Sequence, residues 1–169
     1  MTQDLVKFII PADFIIARVE LYPGELAYGY AHGWLDEAAV VDLAANSLGK
    51  SSSTPRLVQE LGILLRDDLD KVPGLISEIK TSEERDPGEV WLYLALDWIN
   101  DHQDQFDDPF ETIEMLSADF GFPTEIEDLV RFMPPKKGAE IGLPAIQKRW
   151  NEFLLRQSEW YATRPYLCT

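Results

Sequence analysis

The stretch Glu89-Val90-Trp91-Leu92-Tyr93-Leu94-Ala95-Leu96-Asp97-Trp98-Ile99-Asn100-Asp101-His102 decides the fold. It is the most apolar helix in the chain. Trp91, Leu92, Leu94, Ala95, Trp98 and Ile99 give it a wide apolar face. Its uncharged run, Val90 to Leu96, and the other such run, Phe8 to Ala12, are far short of the roughly 20 residues that cross a bilayer.

Helical spacing continues on both sides. Downstream, Pro109 opens a helix with Phe110, Ile113 and Leu116 on one face, and Gly121-Phe122-Pro123 breaks it. Thr124 and Glu127 have the spacing of a capping box. Ile126, Leu129, Val130 and Met133 are then predicted as a buried helix face that ends at Pro134-Pro135. A last helix is predicted from Pro144 to about Ala162, with Ile146, Trp150, Phe153, Leu154, Gln157 and Tyr161 on one side.

Upstream, Leu35 to Leu48 carries Val40, Val41, Ala44, Ala45 and Leu48 at three-to-four spacing. Asp36 and Glu37 suit its N-terminal dipole, and Gly49 suits its end. Ser51 to Thr54 reads as a polar loop. Thr54-Pro55 starts the next helix, with Leu57, Leu61, Leu64 and Leu65 inward. Pro73-Gly74 separates that helix from Leu75 to Lys80, and Ser82 to Pro87 reads as a loop. Lys7 to Ile10 reads as a short strand or extended lead-in to a helix over Pro11 to Leu21. The expected fold is all-α: a single domain over residues 1–169, built as an irregular helical bundle or a helical-repeat-like array.

Composition agrees. The chain has 169 residues, one domain's length, and 46% hydrophobic against 27% charged residues argues against whole-chain disorder. The first residues have no basic start or cleavage site of a secretion signal. The one cysteine, Cys168, leaves no internal disulfide to form, so a cytoplasmic location is expected.

Charge is the unusual feature. Thirty acids against fifteen bases give −15. Residues 86–133 hold thirteen acids and one base, whereas residues 134–169 hold three acids and six bases. Such a surface repels nucleic acid and anionic membrane and attracts basic proteins.

The chemistry of most enzymes finds no foothold. His32 sits in a helix-end turn, Tyr30-Ala31-His32-Gly33-Trp34, and His102 ends an acidic helix; both read as capping or packing groups. Nothing in the sequence places them near each other. A calcium loop counted from Asp101 would need acids where Gln103 and Gln105 stand and glycine where Phe106 stands. Zinc spacing and phosphate-binding glycine signatures do not occur. Gly24, Gly29 and Gly33 lie among aromatics and read as close packing or turns. No catalytic, cofactor-binding or metal-binding residue is therefore assigned.

The acidic stripe is the candidate site. Glu89, Tyr93, Asp97, Asn100, Asp101 and Asp104 share a helix face, and Asp107, Asp108, Glu111 and Glu114 follow. Like charges at i,i+4 oppose stability by about 0.2–0.5 kcal/mol each. Such a stripe is a solvated face, a face paired with Lys148, Arg149 and Arg156 of the last helix, or a docking surface for a cationic protein. On the docking reading, the partner-binding residues are Tyr93, Asp97, Asp101, Asp104, Phe106, Asp107, Asp108, Glu111 and Glu114. Tyr93 and Phe106 would anchor, and the acids would steer. The basic C-terminal residues Lys136, Lys137, Lys148, Arg149, Arg156 and Arg164, interleaved with Trp150, Trp160 and Tyr161, are expected to pair with the acidic middle rather than bind nucleic acid.

Two stretches carry a resemblance. One runs Gly24-Glu25-Leu26-Ala27-Tyr28-Gly29-Tyr30-Ala31-His32-Gly33-Trp34-Leu35. The other is Ala118-Asp119-Phe120-Gly121-Phe122-Pro123, then Glu125-Ile126-Glu127 and Arg131-Phe132-Met133-Pro134-Pro135. With the helices bearing Trp91 and Trp150, the chain resembles a bacterial family of helical domains of unknown function, found among immunity proteins of polymorphic-toxin and contact-dependent growth inhibition systems. The resemblance implies a binding protein rather than an enzyme. Its partner would be a cognate toxin C-terminal domain, basic and a nuclease. Two other readings stay open: a helical scaffold or adaptor for a basic protein, and a carboxylate-based hydrolase.

Overall fold

The computed structural model describes residues 5–48, 55–80, 86–134 and 137–164. The architecture is all-α, with no strand among the described residues. In chain order the helices are α1 (Ala12–Ile16), α2 (Pro23–Ala31), α3 (Glu37–Leu48), α4 (Arg56–Gly62), α5 (Val72–Ser77), α6 (Gly88–Asp101), α7 (Pro109–Asp119) and α8 (Leu143–Thr163). Short 3-10 turns occupy Arg66–Lys71, Gln103–Gln105 and Thr124–Leu129. Expectations for Gly49, Ser51 to Thr54, Ser82 to Arg85, Pro135, Lys136 and Cys168 lie outside the described residues. None of the described helices is long and apolar enough to cross a membrane.

The helices gather into two compact units, Phe8–Trp91 with Tyr161–Thr169, and Leu92–Trp160 with Met1–Lys7. In the first, α3 packs along α4 and also meets α1, α2 and α5. The Asp36 carboxylate accepts the Ala39 N–H at 2.8 Å and so starts α3. The buried residues of α3 are Ala39, Val40, Leu43, Ala44 and Ser47. The face is therefore rotated by one residue from the expected one: Val41 and Leu48 are half-buried and Ala45 is exposed. Apolar doublets recur in two phases here, and periodicity cannot choose between them.

Two helix ends are corrected, and of the two readings of Lys7 to Ile10 the lead-in holds rather than the strand. The helix predicted over Pro11 to Leu21 stops at Ile16, and Val19 to Tyr22 is irregular. Proline at 23 disfavours helix at the residue before it while starting α2 itself. Residues Lys7 to Ile10 are extended without being a strand; Ile10 N–H donates to the Trp34 carbonyl at 2.9 Å, and Phe8 meets the Trp34 ring edge-on. Helix α4 ends at Gly62, so Leu65 is 70% exposed rather than inward. Val58 and Leu61 form its buried face, with Leu57 and Leu64 half-buried.

The second unit is built on most of α6, on α7 and on α8. Leu94, Leu96, Ile99, Ile113, Leu116, Ile126 and Trp150 are fully enclosed. Phe110 of α7 meets Trp150 of α8 edge-on at 6.0 Å. An amide cluster ties the end of α6 to α8: Gln103 donates to Asn100 (2.8 Å) and Gln147 (3.0 Å), and Gln147 donates to Asn100 (3.0 Å). The Asp119 carboxylate accepts the Leu5 and Val6 N–H groups, each at 2.8 Å. The capping box at Thr124 does not form. Pro123 is the cap residue, without a side-chain bond, and the segment is 3-10 rather than α. Ile126, Leu129 and Val130 are nonetheless buried as expected. Helix α8 runs one residue beyond each predicted end and buries Ile146, Trp150, Phe153, Leu154 and Tyr161.

Candidate functional site

The acidic residues lie along α6, the turn after it, and α7. From Val90 to Leu96, α6 is buried all round. Tyr93 is 1% exposed, which corrects its placement as a surface anchor. It shares the i,i+4 face of Asp97, but that face is covered where Tyr93 stands. Exposure begins below it, with Asp97 half-buried and Asp101 exposed.

The chain then reverses through Gln103–Gln105. Gln105 N–H donates to the His102 carbonyl at 2.9 Å and Phe106 N–H to the Gln103 carbonyl at 3.2 Å. Asp104 and Asp107 project from this turn, exposed, with Phe106 half-buried between them. Glu111 in the first turn of α7 is exposed too. Asp104, Asp107 and Glu111 have no ion-pair partner among the described residues.

Asp108 and Glu114 have local roles. The Asp108 carboxylate caps α7, accepting the Phe110 and Glu111 N–H groups at 3.1 and 3.2 Å. Arg131 Nη1 reaches Asp108 at 3.2 Å, and Nη2 reaches Glu114 at 2.5 Å. The Glu111 N–H is the main cause holding the Asp108 carboxyl below its ordinary pKa of 3.8. Arg131 and the Phe110 N–H add to it, against an opposing effect of burial. Glu114 in turn holds the Arg131 guanidinium above its ordinary value.

A depressed carboxylate adds stability above its unfolded pKa and loses it as pH falls through its folded one. Asp108→Asn is therefore expected to lower the urea midpoint at pH 7. The gap to the parent should close as pH falls below 3.8. Urea titrations across that range check it; a gap independent of pH would contradict it.

The expected neutralisation of this segment by the last helix takes a different form. Among the described residues, Asp108 and Glu114 pair with Arg131, the first base after a run without any from residue 86 onward. Arg149 of α8 instead donates to two carbonyls, those of Asp128 (3.0 Å) and Glu140 (2.9 Å). Arg164 pairs with Glu25, outside the acidic middle. Lys148 and Arg156 are exposed. Sequence reasoning missed Arg131, although its solitary position after an acidic run was the available signal.

The histidines are packing groups. His32 is the C-cap of α2 and stacks on Tyr28 at 3.9 Å. His102 stacks on Trp98 at 3.8 Å, with Nδ1 2.8 Å from the Trp98 carbonyl oxygen. Among the described residues, no group of three or more His, Cys, Asp or Glu is placed to hold a metal ion. A groove lined by Val130, Met133, Ile141, Ile146 and Arg149 measures about 120 Å³. That is well below the roughly 300 Å³ at which small-molecule sites begin.

The arrangement offers an acidic turn and helix start on a packed helical base, suited to contact with a cationic surface. No curated protein and no solved structure matches the chain. The model of a family described as "Uncharacterized protein conserved in bacteria (DUF2247)" matches residues 12–158, and the chain belongs to that bacterial family.

Proposed function

We propose that this chain is an immunity protein that binds and neutralises a basic toxin domain, a nuclease, through its acidic turn. The observation that carries the reading is the exposure of Asp104, Asp107 and Glu111 without ion-pair partners among the described residues, beside two carboxylates already matched to Arg131. A nuclease holds a phosphate backbone with lysines and arginines. Carboxylates presented from an exposed turn compete for that surface and speed encounter through long-range attraction.

The direct test is co-expression with the C-terminal toxin domain encoded beside this chain's gene. Survival and a co-purifying complex are expected. Death despite expression, or a neighbouring gene that encodes no such domain, overturns the reading. Within the complex, Asp104→Lys with Asp107→Lys should slow association at least tenfold and flatten its salt dependence. The free chain should keep its stability to within about 0.5 kcal/mol, because both positions are exposed. Unchanged association kinetics would remove these residues from the interface.

A further inference from the structure

Helix α7 ends in a Schellman motif. Gly121 sits at φ +74°, its N–H donates to the Ala118 carbonyl at 3.1 Å, and Phe122 N–H donates to the Ser117 carbonyl at 2.8 Å. The glycine satisfies the left-handed requirement of that motif. The next residue, Phe122, is also left-handed, at φ +56°, and it is the one non-glycine with positive φ among the described residues. A bulky side chain is disfavoured there by contact between Cβ and the following carbonyl.

The ring does not compensate by entering the core. Phe122 is 47% exposed and Phe132 is 60% exposed, and the two meet edge-on with centroids 6.3 Å apart. Each therefore leaves much of its surface in water. A strained, exposed aromatic that serves neither its backbone nor the core is the kind of outlier that points to function.

We infer that Phe122 and Phe132 form the apolar anchor of the docking surface, received by a pocket on a lysine- and arginine-rich protein. The inference rests on the toxin-binding reading and supplies the anchor that buried Tyr93 cannot. Charge selects the occupant. Glu125 is exposed, and Glu127 and Asp128 are half-buried in the 3-10 turn between the two rings in sequence. Two cations lie beside this turn: Arg131 is engaged by Asp108 and Glu114, and Arg149 is held by the Asp128 and Glu140 carbonyls. A second copy of this chain carries the same −15 and would be repelled, as would an anionic lipid surface. A cationic rim around an apolar pocket matches both features, since arginine and lysine also stack on aromatic faces. Arg131 and Phe132 are adjacent, so one dipeptide contacts the acids of α7 through its first side chain and the Phe122 ring through its second.

The test uses the full chain and the purified toxin domain encoded beside its gene, with binding kinetics read for Phe122→Gly and Phe132→Ala. Glycine suits φ +56°, so Phe122→Gly should keep or raise the thermal midpoint while accelerating dissociation at least tenfold. Phe132→Ala should accelerate dissociation similarly, and association should stay near the parent rate for both. That pattern is the reverse of the Asp104→Lys, Asp107→Lys variant, which slows association. If the parent complex forms and both phenylalanine variants dissociate at its rate, the anchor is overturned and the toxin reading stands. If the parent forms no complex, the toxin reading falls and the anchor falls with it. A sharply lowered midpoint for Phe122→Gly would make the ring structural and also overturn the anchor.

Discussion

Gly29→Ala is expected to destabilise the chain by about 2 kcal/mol or more, although alanine is the better helix former by about 1 kcal/mol. A Cβ built at Gly29 would fall 2.5 Å from Cε2 and 2.6 Å from Cη2 of Trp91, inside the indole's own space. The ring cannot slide away cheaply. Its Nε1–H donates to the Glu25 carbonyl at 2.8 Å, one helical turn earlier on α2, and Trp91 has no exposed surface. The bond and the missing side chain thus seat one ring against two successive turns of the same helix. Gly74 in α5 has nothing within 4 Å of a Cβ, so Gly74→Ala should move stability the other way, by about 0.5–1 kcal/mol. Urea unfolding of both variants decides the matter. A stabilising Gly29→Ala would show that α2 and Trp91 are not in this contact. Adding Trp91→Leu to Gly29→Ala should cost less than the two single changes together, because the smaller side chain relieves the overlap.

The same contact marks where the sequence is legible and where it is not. Gly29 among aromatics is readable as a site of close packing, but its partner sixty-two residues away is not. Helices α3, α6, α7 and α8 are readable because their apolar spacing repeats over three or more turns. Helix α2, with Tyr, Gly and Ala in place of a clear apolar stripe, shows only its end at Tyr30 to Trp34. The phase of α3 is hidden by its alanines, which fit either face. In the acidic segment, spacing puts Tyr93 and Asp97 on one face, yet spacing says nothing of how far the core extends along that face. Spacing also carries Asp104 along the α6 face, whereas the helix ends at Asp101 and Asp104 stands in the turn that follows. The choice of Arg131 over the last helix as counter-ion is a tertiary fact. So is the backbone of Phe122: Gly121-Phe122-Pro123 announces a break, and not that the phenylalanine itself turns left-handed.

Arg164 carries the other large expected effect. It stands one residue past α8, with its side chain 4% exposed, and its partner Glu25 in α2 is 9% exposed. Nη2 meets Glu25 Oε1 at 2.5 Å and Nη1 meets Oε2 at 2.9 Å, a two-pronged pair. Nη2 also donates to the Glu20 carbonyl at 2.9 Å, and the guanidinium lies 3.8 Å over the Tyr22 ring. Burial alone would push the guanidinium pKa down. The hydrogen bonds and charge of Glu25 outweigh it, and the pKa is raised. Glu25 Oε1 accepts the Tyr22 N–H at 2.8 Å as well, so the carboxylate also caps α2. Removing one partner strands the other charge away from water, which costs roughly 3–5 kcal/mol. Arg164→Ala is therefore expected to lower stability by about 3 kcal/mol. The pair itself is a modest net stabiliser, since Arg164 Nε has no partner among the described residues and both ions are dehydrated. Arg164→Met combined with Glu25→Gln should thus recover more than half of the loss, because an uncharged pair of similar volume leaves no buried ion. Equilibrium unfolding of the single and double variants separates the terms. If the double variant is as unstable as the sum of its parts, the cost lies in lost packing of the Arg164 side chain on the Tyr22 ring, and the ion pair is not what holds that corner together.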